Sequence, residues 1–148
     1  MDYSKYQELH CRILEPGILE IVMGRDDGKL STAGARMHAE MAEIWRDIDR
    51  DPEVRVAILR GAGKGFSAGG DFKLIDDIIK DFDTRARVWR EARDLVYNML
   101  NCSKPIISAS KRDVFLKASI ISAPVGYFSR AIRAAEIAAL VGFLVQSV

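Results

Sequence analysis

From Glu8 to Met23 the chain reads as two strands around the turn Glu15-Pro16-Gly17. Leu9, Cys11 and Ile13 alternate against His10 and Arg12 before the turn, and the apolar run Ile18–Met23 follows it. The period then changes. Met37, Met41, Ile44, Trp45 and Ile48 recur at three- and four-residue steps, the signature of a helix with one apolar face, which Ser31 is placed to cap and Asp51-Pro52 to end. Val54–Leu59 is almost wholly apolar and predicts a buried strand. A second helix is predicted to start at Asp83 or Thr84, with Val88, Ala92, Leu95, Val96 and Met99 as its apolar stripe. Arg85, Arg87, Arg90 and Arg93 form its wet face. Ile106–Ala109 returns to a strand pattern, so the order strand, helix, strand, helix, strand predicts α/β layering.

Beyond Ala109 the pattern loses this regularity. Ser129 is placed to cap a helix in which Ile132, Ala135, Ala138, Ala139, Leu140, Phe143 and Leu144 leave little polar face, so the segment requires burial against something. Arg130, Arg133 and Glu136 interrupt its first half, which argues against a membrane span. The echo of Ile106-Ile107-Ser108-Ala109 in Ile120-Ile121-Ser122-Ala123 is too short to indicate a repeat.

Composition narrows the function classes. The 148 residues suffice for one domain with a real core, and the formal charge of +1 with interspersed signs speaks against a nucleic-acid footprint. Cys11 and Cys102 show neither CxxC nor metal-ligand spacing, so they are expected to sit reduced in a cytoplasmic protein, with no metal site. The opening Met1-Asp2-Tyr3-Ser4-Lys5 has no charged-then-apolar signal pattern.

The chemistry concentrates in Gly61-Ala62-Gly63-Lys64-Gly65-Phe66-Ser67-Ala68-Gly69-Gly70-Asp71, where a buried strand empties into a glycine-rich loop. Glycines here let backbone N–H groups approach a ligand closely and form a concave donor site for negative oxygen, as in an oxyanion hole or a phosphate cradle. A P-loop is excluded, because Ile58 stands at its first glycine and Gly65 at its hydroxyl position. Gly63-x-Gly65-x-x-Ala68 meets the loose dinucleotide pattern, but Gly69 and Gly70 intervene before any helix. A surface turn with no ligand is the remaining reading of the glycines alone.

The whole string Lys64–Lys73 resembles the first signature of the enoyl-CoA hydratase/isomerase (crotonase) superfamily: a phenylalanine, small residues, then Ala-Gly-small-Asp. Ile18–Met23 with Arg25 resembles the family's opening strand and turn, Met37–Arg50 its first helix, Asp51–Leu59 the strand before the signature, and Asn101–Ala109 the strand entering the second. The resemblance covers about residues 12–109. It implies an α/β, crotonase-like fold built as a spiral of ββα units, here incomplete, with 1–109 as the family-like part and 110–148 as a divergent apolar tail.

The resemblance also implies an acyl-CoA thioester as partner, with CoA part of the substrate and no separate cofactor. The thioester oxygen would sit between two backbone N–H groups, the first being that of Gly70. The Ala68 carbonyl would receive the adenine amino group, Lys64 and Lys73 would lie where CoA phosphates pass, and Asp71 would order the loop by accepting from backbone N–H groups. Addition of water to a 2-enoyl thioester, or a double-bond shift, would then be driven by stabilising the enolate-like oxygen, with two glutamates moving protons. Trimers or hexamers are implied as well.

By the family's spacing the second donor falls near Lys117 and the glutamates near Ile120 and Leu140, and none of these is the required residue. Glu136 is out of register with either site and is expected to pair with Arg130 or Arg133. The abrupt loss of resemblance after Ala109 is read as a truncated, recombined or frameshifted reading frame. The alternative function is accordingly a catalytically incomplete CoA-binding or oligomer-forming remnant.

Overall fold

The computed structural model of the chain describes residues 1–27, 29–112 and 115–122. Strands β1 (Leu9–Glu15) and β2 (Ile18–Met23) form an antiparallel hairpin whose turn holds Gly17 at φ +89°, a conformation that favours glycine. Helix α1 (Ala35–Arg50) then carries the chain back so that β3 (Val56–Gly61) lies parallel to β2, since parallel neighbours demand a crossover. Helices α2 (Phe72–Lys80) and α3 (Phe82–Asn101) make the next crossover, to β4 (Ile106–Arg112), parallel to β3. Strand β5 (Phe115–Ser122) folds back antiparallel on β4, completing a mixed five-stranded sheet in the order β1-β2-β3-β4-β5. The sheet thus continues across Ala109, where the sequence pattern changes. The run from Ser129, with Glu136 and the Leu140 position, lies outside the described residues.

The core sits on one face of the sheet. Leu19, Ile21, Met23, Ala57, Leu59 and Ile106 point inward and meet Met37, Met41, Ile44, Trp45 and Ile48 of α1 with Leu95 and Met99 of α3. Burying each such aliphatic side chain contributes about 1.5–3 kcal/mol. The alternation predicted for β1 fades after Cys11: Ile13 is 52 % exposed and Leu14 43 %. β1 is an edge strand, and its register slips between Ile13 and Glu15, so the inward position is left at the rim.

Two caps differ from the sequence expectation. Ser31 does not cap α1, whose N-cap is Gly34 without a side-chain bond; the Ser31 hydroxyl donates to the Met23 carbonyl at 2.9 Å. α3 starts at Phe82 because Asp81 accepts from the Thr84 N–H at 2.7 Å and ends α2 at the same time. At the other end of α1, the Lys104 ammonium donates to the carbonyls of Ile48 (2.6 Å) and Asp51, which also accept from the Asp51 and Val54 N–H groups, a cation placed at the negative end of the helix dipole. That clamp fixes the entry into β4. Glu40 on α1 accepts from the backbone N–H groups of Gln7, Glu8 and Leu9 at 2.9, 2.9 and 3.1 Å, which fixes the start of β1.

Candidate functional site

β3 ends in the glycine loop, and the loop's path is dictated by close approach. A Cβ on Gly61 would lie 2.1 Å from the Gly65 carbonyl oxygen and 2.2 Å from that of Phe66, and one on Gly63 would lie 1.7 Å from the Lys29 carbonyl oxygen. No side chain fits at either position. The loop then docks along residues 31–33 as a strand would. The Ala68 N–H and the Ser67 hydroxyl both donate to the Ser31 carbonyl (2.7 and 2.8 Å), the Ala33 N–H donates to the Gly69 carbonyl (2.7 Å), and the Asp71 N–H to the Ala33 carbonyl (3.1 Å). Gly69 is buried and takes φ +103° to make this turn.

That parallel bridge, Ala33 with Gly70, has a directional consequence. The groups that bond to Ala33 come from Gly69 and Asp71, so the N–H of Gly70 faces away from Ala33. Among the described residues it has no hydrogen-bond partner. Two residues on, α2 begins, and the Asp71 carboxylate caps it by accepting from the Leu74 N–H at 2.6 Å. The positive end of the α2 dipole therefore lies beside the Gly70 N–H, and both favour a negative oxygen.

The other residues singled out in the loop are placed as follows. Ala68 is exposed, and its carbonyl accepts no hydrogen bond among the described residues. Lys64 is exposed on the loop. Lys73 is exposed on α2 and lies along the helix onto Asp77 at 2.7 Å, which raises its pKa. Lys117 and Ile120 fall within β5, paired with Ser110 and Ile107 of β4.

Sequence reasoning missed α2, which Asp71 followed by Leu74, Ile75 and Ile78 could have signalled as a cap and an apolar face. It also missed the 31–33 platform, which has no local signal because its bonds are all long-range.

The outer face of the sheet carries a separate charged cluster. Glu20, buried, accepts from Arg60 at 2.7 Å and from Arg12. Burial pushes its carboxyl up, but the hydrogen bonds from Arg60 and Arg12 outweigh that and hold it below the usual carboxylate range. A cavity of about 390 Å³ opens there, lined by His10, Arg12, Arg25, Arg60 and Ala62 among others. Cys11 also lines it, its thiol pushed up to about 12 by burial and by Glu40. Among the described residues no group of three or more His, Cys, Asp or Glu could hold a metal, and no helix is long and apolar enough to cross a membrane.

Comparison with known proteins matches residues 27–111 to the model of the enoyl-CoA hydratase/isomerase family. The chain is 32 % identical over 98 residues to 1,2-epoxyphenylacetyl-CoA isomerase of Escherichia coli K12, covering 65 % of this chain and 37 % of that protein. It is 30 % identical over 117 residues to the human mitochondrial Delta(3,5)-Delta(2,4)-dienoyl-CoA isomerase, covering 73 % and 35 %. An enoyl-CoA hydratase/isomerase structure from Mycobacterium paratuberculosis superimposes with a TM-score of 0.66 at 33 % identity, over 70 % of this chain and 41 % of that one. The chain thus spans a little over a third of the length of these curated relatives and reproduces part of the crotonase fold. With its glycine loop and the elements on both sides of it inside the matched region, the chain belongs to the enoyl-CoA hydratase/isomerase family.

Proposed function

We propose that the 61–73 loop binds an acyl-CoA thioester, with the thioester oxygen on the Gly70 N–H, and that the family reaction this serves is hydration of, or a double-bond shift in, a 2-enoyl-CoA. The observation that carries the reading is the Gly70 N–H, unpartnered among the described residues and aimed away from Ala33 beside the N-terminus of α2. Preorganised donors of this kind stabilise the charge that develops on the oxygen as the enolate forms. The exposed Ala68 carbonyl suits an adenine amino group, and Lys64 suits a CoA phosphate. Lys73 would have to exchange Asp77 for phosphate to do the same. Asp71 orders the loop in this reading and is not the proton donor of the reaction. CoA arrives with the substrate, so no separate cofactor is needed. Assembly into trimers or hexamers and a cytoplasmic place of work belong to the same proposal and rest on the family resemblance.

Calorimetric titration with a 2-enoyl-CoA and with free CoA tests it. Gly70→Pro removes the N–H and fixes φ, so thioester affinity falls about ten-fold, the worth of one good hydrogen bond, while free CoA binding falls less. Unchanged affinity for both ligands would sink the assignment of Gly70. A second reading, CoA binding without turnover, is favoured by the family spacing, which would put a donor glycine near Lys117 and a glutamate near Ile120, both of which stand in β5.

A further inference from the structure

The direction of the Gly70 N–H is set by the peptide that joins it to Gly69. A trans peptide is planar, so its carbonyl and its N–H point opposite ways. The Gly69 carbonyl accepts from the Ala33 N–H at 2.7 Å, and the Gly70 N–H is turned outward as a result. A glycine stands on each side of this peptide, and glycine sets little steric limit on φ and ψ. Gly69 already uses that freedom at φ +103°. Turning the one peptide plane over would break a single hydrogen bond and point the N–H inward. The donor therefore keeps its aim only if the peptides before and after it are held.

After it, the Asp71 N–H donates to the Ala33 carbonyl at 3.1 Å. Before it, the holding group is a side chain. The Ser67 hydroxyl accepts from the Gly69 N–H at 3.3 Å and donates to the Ser31 carbonyl at 2.8 Å, so one oxygen uses its donor and an acceptor site in a single bridge. Ser31 is itself fixed, because its buried hydroxyl donates to the Met23 carbonyl at 2.9 Å, at the end of β2. Gly24 comes so close that a Cβ on it would lie 2.2 Å from the Ser31 Oγ. A line of bonds thus runs from β2 through Ser31 and Ser67 to the Gly69 N–H. Among the described residues, Ser67 is the one side chain that hydrogen-bonds the 67–70 backbone to the 31–33 platform.

We infer that Ser67 is a positioning residue, whose hydroxyl bridge holds the Gly69–Gly70 peptide against a flip and keeps the Gly70 N–H aimed at the ligand oxygen. The inference rests on the reading of Gly70 as the thioester donor, and Ser67 acts through Gly70.

Three forms of the full chain test it: the parent, Ser67→Ala, and Ser67→Thr, which keeps the hydroxyl. Ser67 is half-buried on a loop, so its truncation leaves the core intact. In the ligand-free protein, relaxation dispersion at the Gly70 amide is expected to be flat in the parent and in Ser67→Thr. Ser67→Ala is expected to show exchange on the microsecond-to-millisecond scale. In calorimetry, Ser67→Ala is expected to lose roughly five-fold in affinity for a 2-enoyl-CoA, the scale of one hydrogen bond, and less than about two-fold for free CoA. Ser67→Thr should bind both as the parent does.

A flat Gly70 profile in Ser67→Ala overturns the inference whatever the ligands do. Exchange at Gly70 with unchanged thioester affinity sinks the assignment of Gly70 as donor, and the inference falls with it. Equal losses for thioester and free CoA, or a loss that Ser67→Thr shares, would make Ser67 a support of the loop as a whole and also overturn the inference.

Discussion

Glu20 shows how single charges are held on the open side of the sheet. Its two oxygens are divided between Arg60 and Arg12, and its lowered pKa means the folded state binds this proton less readily than the unfolded chain. The sign follows: the contribution is complete above the ordinary carboxylate value of 4.5 and is lost as pH falls through the lower folded value. Glu20→Gln is therefore expected to cost roughly 1–2 kcal/mol at pH 7 and to flatten the acid limb of stability. Urea midpoints between pH 7 and pH 3 check this, and a variant that loses stability in acid as steeply as the parent would show that the cluster is not the cause. None of this was legible from residue types, because Arg12, Glu20 and Arg60 are brought together by the β1–β2 and β2–β3 registers.

Among the elements, α1 acts as the organiser. Its apolar stripe was legible from three- and four-residue spacing, and Met37, Met41, Ile44, Trp45 and Ile48 are all buried. Its polar work was not legible, because the partners are distant in sequence. Glu40→Ala is expected to leave three backbone N–H groups of residues 7–9 without their acceptor and to cost about 1–3 kcal/mol. Amide hydrogen exchange is the direct measurement: Gln7, Glu8 and Leu9 should exchange faster while β3 stays protected. Uniform acceleration across the sheet would mean that Glu40 supports the whole fold and not the β1 entry alone. The same contrast holds at the caps. A run of apolar residues announces a helix, but Ser31 and Asp81 show that its first residue depends on which backbone group, the Met23 carbonyl or the Thr84 N–H, the candidate cap side chain engages.

At the scale of the whole molecule, the proposed reading gives the chain one oxyanion donor, the Gly70 N–H, and finds Lys117 and Ile120 near where the family spacing would put the second donor and first glutamate. Missing acid–base help costs about 10²–10⁴-fold and a missing donor a further ~10²–10³-fold, so the purified chain is expected to hydrate a short enoyl-CoA barely above background. Spectrophotometric loss of the enoyl thioester measures this. Robust turnover abolished by Glu136→Gln would show that the segment beyond β5 supplies a carboxylate after all.

By itself the sequence determined the hairpin, the two long amphipathic helices, the apolar strand and the glycine loop with its family. Period and glycine content are local properties, written into neighbouring residues. Only the tertiary structure decided the β4–β5 pairing, the platform at 31–33 and the outward aim of the Gly70 N–H. Each of these depends on which distant backbone or surface lies alongside, and the free energy of that choice is not contained in any short stretch of chain.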